Sequence, residues 1–408
     1  MNGHDILILR ELAEEVREAA SQPRMAELRE KWIAHNDLNS KEPMILFDER
    51  LINQKEILPE SALQCEDEEA RRVERSLRMR LFHRDYVPDD LPISADFCVN
   101  FAVEEHGWRE LTKSRVASGE EGTLHSYIPV PVLQEPERIR ELRHSTFSVD
   151  REKTVSEIAK WENIFGDILN VRLRGGYYWT LGMTWDFLRL TGMEEFLVLP
   201  YDDPDVFHEI MRFLRDEIFL QLDFLEKEKL FTLNNGNDYI GSGGCGFTKS
   251  LPAEDYSGNV RTKDQWCLLE SQESVSMSPK MFRDYIFPYQ LEISKRFGLT
   301  YYGCCEPVHD RYETIAQIQN LRTLSVSPWC DMPQLADKLD RELVLACKPS
   351  PACIANGFEE EALKQHVLSA SDAFKGHTIE YVMKDVHTIG GDISRIRRWI
   401  ELVWNTMQ

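Results

Sequence analysis

Nothing in this 408-residue chain approaches the roughly 18 consecutive apolar residues of a membrane-spanning helix. Positive charge is also short, with 48 Lys plus Arg against 70 Asp plus Glu and a formal net charge of −22. That balance repels phosphate backbones and anionic membrane surfaces, which argues against nucleic acid and membrane as partners. Cysteine is sparse and scattered, nine in all, so no disulfide scaffold is expected and thiols stay free for metal or chemistry in a reducing compartment. Residues 1–14 are charged rather than basic-then-apolar, so no secretion signal is read and a cytoplasmic location is expected. No G-x-G-x-x-G run opens a helix, and no repeat or low-complexity tract occurs.

What is present is periodicity of two kinds. Over residues 6–34, Leu9, Leu12, Val16, Met25, Leu28, Trp32 and Ile33 recur among charges, as in amphipathic helices broken near Pro23. Residues 67–84 repeat that pattern, so 1–94 is expected to be a helical extension packed on the rest of the chain or on a second copy in a homodimer. From residue 95, β-rich runs alternate with helical ones. Strands are expected at 96–103, 170–174, 230–234, 266–271, 300–304, 323–326, 343–347 and 378–383. Eight strand-then-helix units over 95–408 predict an α/β fold, a (β/α)8 TIM barrel with its active site at the carboxyl ends of the strands. A doubly wound sheet is the alternative. The stretch 113–132 fits no such unit and is expected to be an inserted loop or hairpin.

Polar residues collect at those strand ends. Glu270-Ser271-Gln272-Glu273, Cys304-Cys305-Glu306, Ser327-Pro328-Trp329-Cys330-Asp331, Cys347-Lys348-Pro349 and Lys384-Asp385-Val386-His387 all fall there. Strand alternation puts Cys304 and Glu306 on one side and Cys305 on the other. Thiolate, carboxylate and imidazole from Cys304, Glu306 and His387 can complete a three-ligand zinc site, or hold another divalent metal, with one position open for substrate. Glu273, Lys348 and Asp385 are candidates for proton transfer. Plainer readings stand beside these: Glu273 as a helix-start carboxylate, Lys348 as the partner of a nearby acid, Cys330 and Cys347 as small buried hydrophobes. Tyr177, Tyr178, Trp179 and Trp329 are candidates for an aromatic substrate pocket, although core packing explains any one of them. The run Gly241-Ser242-Gly243-Gly244-Cys245-Gly246 lacks the Lys-Ser/Thr of a P-loop and is expected to be a mobile lid.

The stretch from Gly182 to Phe196, GMTWDFLRLTGMEEF, followed by Asp203-Pro204-Asp205 and a long helical pattern, resembles a segment of the uroporphyrinogen decarboxylase superfamily. The resemblance covers roughly residues 95–408. It implies a barrel enzyme of one of two kinds, the decarboxylase of haem synthesis or a zinc-dependent methyltransferase that exchanges methyl groups with a corrinoid. The arginine-rich M-R-Q-A-G-R signature of the decarboxylase is absent, so the paired arginines that would hold a many-carboxylate porphyrinogen are missing. The resemblance is therefore closer to the methyltransferase branch. There, Cys304-x-Glu306 falls over an H-x-C ligand pair and residues 384–387 over the last ligand.

Asp385-Val386-His387-Thr388-Ile389-Gly390 also spells the D-x-H-x-x-G of corrinoid-binding loops, but the 18 residues after Gly390 are too few for the sheet such a domain requires. A methylcorrinoid, if used, is expected on a separate corrinoid protein. The resulting expectation is a metal-dependent methyltransferase acting on a small methylated donor or acceptor, with a methoxyaromatic as the first guess. A metal-free decarboxylase or lyase on the same fold and a non-catalytic tetrapyrrole or corrinoid binder remain open alternatives.

Overall fold

The computed structural model describes residues 1–118, 126–176 and 179–407. Eight parallel strands organise it, numbered here in chain order: β1 (Met44–Phe47), β2 (Asp96–Asn100), β3 (Asn170–Arg174), β4 (Trp266–Leu269), β5 (Leu299–Tyr302), β6 (Leu321–Val326), β7 (Val344–Cys347) and β8 (Thr378–Met383). Six form one sheet in the order β1-β8-β7-β6-β5-β4, and β2 pairs with β3. The result is a mixed α/β fold of TIM-like plan whose backbone ladder does not close among the described residues. No helix among them is long and apolar enough to cross a membrane.

Two expectations change here. The first strand of the sheet lies within residues 1–94, so that segment is not purely helical: β1 pairs in parallel with β8, Met44 opposite Glu380. Conversely, residues 230–234 form no strand. Thr232 donates one backbone bond to Gly175, at 3.3 Å. The Asn234 side chain then takes the place of a ladder rung, accepting from Trp266 N–H at 2.9 Å and donating to Trp266 C=O at 3.0 Å. At the other gap, the Asp90 and Asp89 carboxylates accept the Ile45 and Phe47 amides at 2.8 and 3.0 Å. Side chains thus satisfy backbone donors where neighbouring strands would in a closed ring.

The helices expected near the amino terminus are present as Gly3–Ala20, Pro23–Asn36 and Glu68–Tyr86. Pro23 sits in the first turn of the second, where a missing amide costs no intrahelical bond. The expected strand 96–103 breaks at Phe101. Ala102–His106 leaves the parallel pair to run antiparallel to Thr146–Asp150. The inserted stretch is a hairpin, Lys113–Ser118 against Ser126–Val130.

The sheet strands read as continuous apolar runs because both faces are covered. Ile45, Phe47, Leu269, Leu345 and Tyr381 pack towards the surrounding helices. Their neighbours Leu46, Leu268, Tyr301, Ala346 and Val382 pack with Trp32, Ile240 and Cys245. The glycine-rich run, expected to be a mobile lid, is instead buried from Gly241 to Gly246. A Cβ on Gly241 would stand 2.3 Å from the Tyr301 ring, one on Gly243 3.0 Å from Val382, and one on Gly244 3.1 Å from the Glu380 carboxylate. Tyr301 and Val382 belong to β5 and β8, three positions apart in the sheet and about 14 Å apart if it were flat. The sheet therefore curls round the loop, and small residues are what allow the loop inside.

Gly241→Ala is accordingly expected to destabilise the fold by about 1–3 kcal/mol, the usual cost of overpacking. A denaturant midpoint equal to that of the parent chain would show that the loop is not packed in this way.

Candidate active site

β5 ends at Tyr302, and Gly303, at φ +96°, turns the chain at once. The turn undoes the alternation expected of a continuing strand, and the Cys304 and Cys305 sulfurs come within 3.6 Å of each other. Glu306 is buried beside them. Its two oxygens accept the Ser271 and Cys304 amides, each at 2.8 Å, and so staple the ends of β4 and β5 together.

The Cys304 sulfur also accepts from Ser242 Oγ at 3.3 Å. Lys348, at the end of β7 and buried, donates to Ser242 Oγ at 2.6 Å, Ser325 Oγ at 2.7 Å and the Cys304 carbonyl at 3.1 Å. The hydrogen bond from Cys305 lowers the Cys304 thiol from its ordinary 9.0 to about 6, against the opposing effect of burial, with help from Lys348 and Ser242. Cys305, as the donor, is pushed up. Burial pushes the Lys348 ammonium down, and the Cys304 charge partly restores it. The arrangement is a thiolate held by a buried cation through one serine.

Across the mouth, Glu270 behaves in the opposite sense. Burial first, then the charges of Glu273 and Glu306, raise its carboxyl well above the usual carboxylate range. Thr180 Oγ1 donates to one oxygen at 3.0 Å and the Gln272 amide to the other at 2.9 Å. Glu273 accepts from Thr184 Oγ1 at 2.6 Å.

On the remaining side, Lys384 donates to the Tyr239 hydroxyl at 3.0 Å and lies 4.7 Å from the Trp179 ring centre. Trp179 stacks on Tyr239 with centroids 5.5 Å apart, and Arg50 covers Tyr239 at 3.8 Å. Burial opposes the charge of Lys384, but Tyr239, Asp385 and Cys304 together raise it above its ordinary range. Two cavities open here. One, of about 450 Å³, is lined by Glu273, Cys305 and Trp329. The other, of about 180 Å³, is lined by Asp48, Arg50, Tyr239 and Gly243.

Of the expected residues, Cys304, Glu306 and Lys348 therefore meet, and Asp385 joins them, its carboxylate 3.6 Å from the Cys305 sulfur and sharing that thiol's one proton with Cys304. Glu273 and Trp329 share the larger cavity, while Trp179 faces Lys384. Tyr177 and Tyr178 lie outside the described residues. His387 is exposed: the chain turns at Asp385, φ +59°, and the His387 carbonyl takes a bond from the Asn53 amide at 2.9 Å. Among the described residues no group of three or more His, Cys, Asp or Glu side chains is arranged to hold a metal ion. The donor set fits a metal poorly on its own terms, because Glu306 already serves two backbone amides. Cys330 and Cys347 are buried, as the plain reading had it.

Sequence reasoning gave no site role to Ser242, Tyr239 or, beyond its place at the strand end, Glu270. Ser242 was hidden in a run read as a lid, although four glycines in six residues are also the mark of a backbone that must pass close to something.

No family model matches the chain, and no curated protein does. Its shape is similar to a solved structure described as a methyltransferase from Methanosarcina mazei, with a TM-score of 0.50 and 11% identity over 93% of this chain and 99% of the other. At that identity the likeness is one of fold.

Proposed function

We propose that the chain is a methyltransferase that moves a methyl group between a small methylated compound and a corrinoid held by a separate protein. The observation that carries the reading is that one strand-end mouth brings together the Cys304 sulfur, bonded by Ser242 that Lys348 holds in turn, and the buried Glu270, whose carboxyl is pushed up by burial and by Glu273 and Glu306. The fold likeness to a methyltransferase supports it. In the demethylating direction the methyl group leaves with partial positive charge and the heteroatom it leaves becomes negative. In this reading Glu270 gives that heteroatom its proton, and the Cys304 thiolate steadies the positive charge. Cys305 first, then Lys348 and Ser242, favour the ionised form of Cys304. Trp179 and Trp329 offer flat apolar contact, and Lys384 an ammonium, to a methoxylated ring that carries an acid group. The corrinoid supplies the cobalt that takes or gives the methyl group.

A carboxylated substrate that loses carbon dioxide is the second reading, favoured by the Lys384 ammonium at the mouth, which could hold a substrate carboxylate. The test of both is incubation with reduced corrinoid protein and candidate methoxyaromatics or methylamines, followed by the absorbance of cobalt. A change that requires this chain is the expected outcome. Release of carbon dioxide with no change at cobalt would transfer the assignment to a decarboxylase.

A further inference from the structure

The two adjacent cysteines have a property that methyl transfer does not use. We infer that Cys304 and Cys305 form a vicinal dithiol that hydrogen peroxide closes to a reversible disulfide. Their sulfurs are 3.6 Å apart, and both cysteines are free thiols. Cys305 lines the open cavity of about 450 Å³, and the buried Cys304 sulfur lies 3.6 Å behind it, one step further for an oxidant little larger than water. Ser242, held by Lys348, donates to the Cys304 sulfur and favours it as the attacking atom. Asp385 Oδ2 accepts from Cys305 at 3.6 Å and can take its proton.

The chemistry balances without further reagents. The Cys304 sulfur attacks one peroxide oxygen, the O–O bond breaks, and sulfenic acid and hydroxide form. Cys305 gives its proton to Asp385 and attacks the Cys304 sulfur. The S–S bond forms as the second hydroxide leaves; the Cys305 proton, passed through Asp385, turns one hydroxide into water, and a proton from solvent, the one Cys304 gave up on ionising, turns the other. Two thiols are oxidised and one peroxide is reduced. Neighbouring α-carbons stand about 3.8 Å apart, less than the roughly 4.4–6.8 Å that disulfides usually span. The ring is therefore strained and easily reduced, the mark of a switch rather than a staple.

The inference does not depend on the methyl-transfer reading, because its test needs no substrate. The reduced full chain is treated with one equivalent of hydrogen peroxide, alkylated and mapped by mass. The peptide with both cysteines is expected to lose about 2 Da and both alkylation sites, and dithiothreitol is expected to restore them. Cys305→Ser should stop at a sulfenic acid on residue 304 that dimedone traps. Cys304→Ser should leave Cys305 reduced at the same dose. Oxidation of other cysteines first, sulfinic acid at Cys304 with Cys305 still reduced, or no reaction of the pair would each overturn the inference. The parent chain alone decides the matter if either variant folds poorly.

Discussion

Cys304→Ala is expected to lower methyl transfer by about a hundred- to a thousandfold, the cost of removing a preorganised electrostatic partner, while the fold persists. The reason lies in which atoms of Cys304 do which work. Its amide bonds to Glu306 and its carbonyl to Lys348 and Ser325, and alanine keeps both groups. Lys348 keeps all three acceptors. Only the sulfur is lost, and with it the negative charge. The expected signature is a fall in kcat with KM little changed, read by the cobalt absorbance assay.

The same substitution carries a test of sign in stability. Cys304 titrates at about 6 in the folded chain against an ordinary 9.0. Between those values the unfolded chain holds the proton and the folded chain does not, so stability rises with pH across that window. The contribution is complete above about 9 and is lost as the pH falls through about 6. Cys304→Ala should flatten this part of the profile of denaturant midpoint against pH. Full activity in the variant, or an unchanged profile, would remove the thiolate from the mechanism.

The sequence exposed the parallel strands better than it exposed what fills them. Trp266–Leu269 and Thr378–Met383 are apolar without interruption, and only strands covered on both faces read so plainly. Met44–Phe47 has the same character but stands among charged helices, and its role depends on pairing with β8, more than 330 residues away. Residues 230–234 carry a strand-like pattern, yet a side-chain amide does the pairing there. At the site, the Cys-Cys-Glu strand end was legible from residue types alone. Of its partners, Lys348 and Asp385 stood out as well, and Ser242 and Glu270 did not. His387 fits a ligand pattern by spacing, but one left-handed residue, Asp385, turns the chain. Ser242 reaches Cys304 only because the glycine run threads the curled sheet, and Glu270 differs from Glu273, three residues on, in burial and in the hydrogen-bond partners that the fold supplies. Neither property is written in local sequence.

Glu270→Gln should leave a folded protein with methyl transfer reduced by about a hundred- to ten-thousandfold, the range for loss of a general acid. Glutamine keeps the volume. It can still accept from the Gln272 amide and can donate to the Thr180 hydroxyl, so the contacts that hold the side chain survive. What is lost is the acidic proton. Stability is expected to hold or to rise slightly at neutral pH. A carboxyl whose folded pKa is raised binds a proton that the unfolded chain has released above the ordinary range, so stability falls with pH through that interval in the parent chain. The variant has no such slope. In the parent chain, kcat/KM should rise through about pH 6 as Cys304 ionises and fall at higher pH as Glu270 loses its proton. The variant should keep the first limb and lose the second. Its defect should also shrink for donors whose leaving group is more acidic, since these need less protonation. A defect of the same size for every leaving group, or an alkaline limb that survives the substitution, would place the proton donor elsewhere, with Glu273 beside Thr184 the next residue to replace.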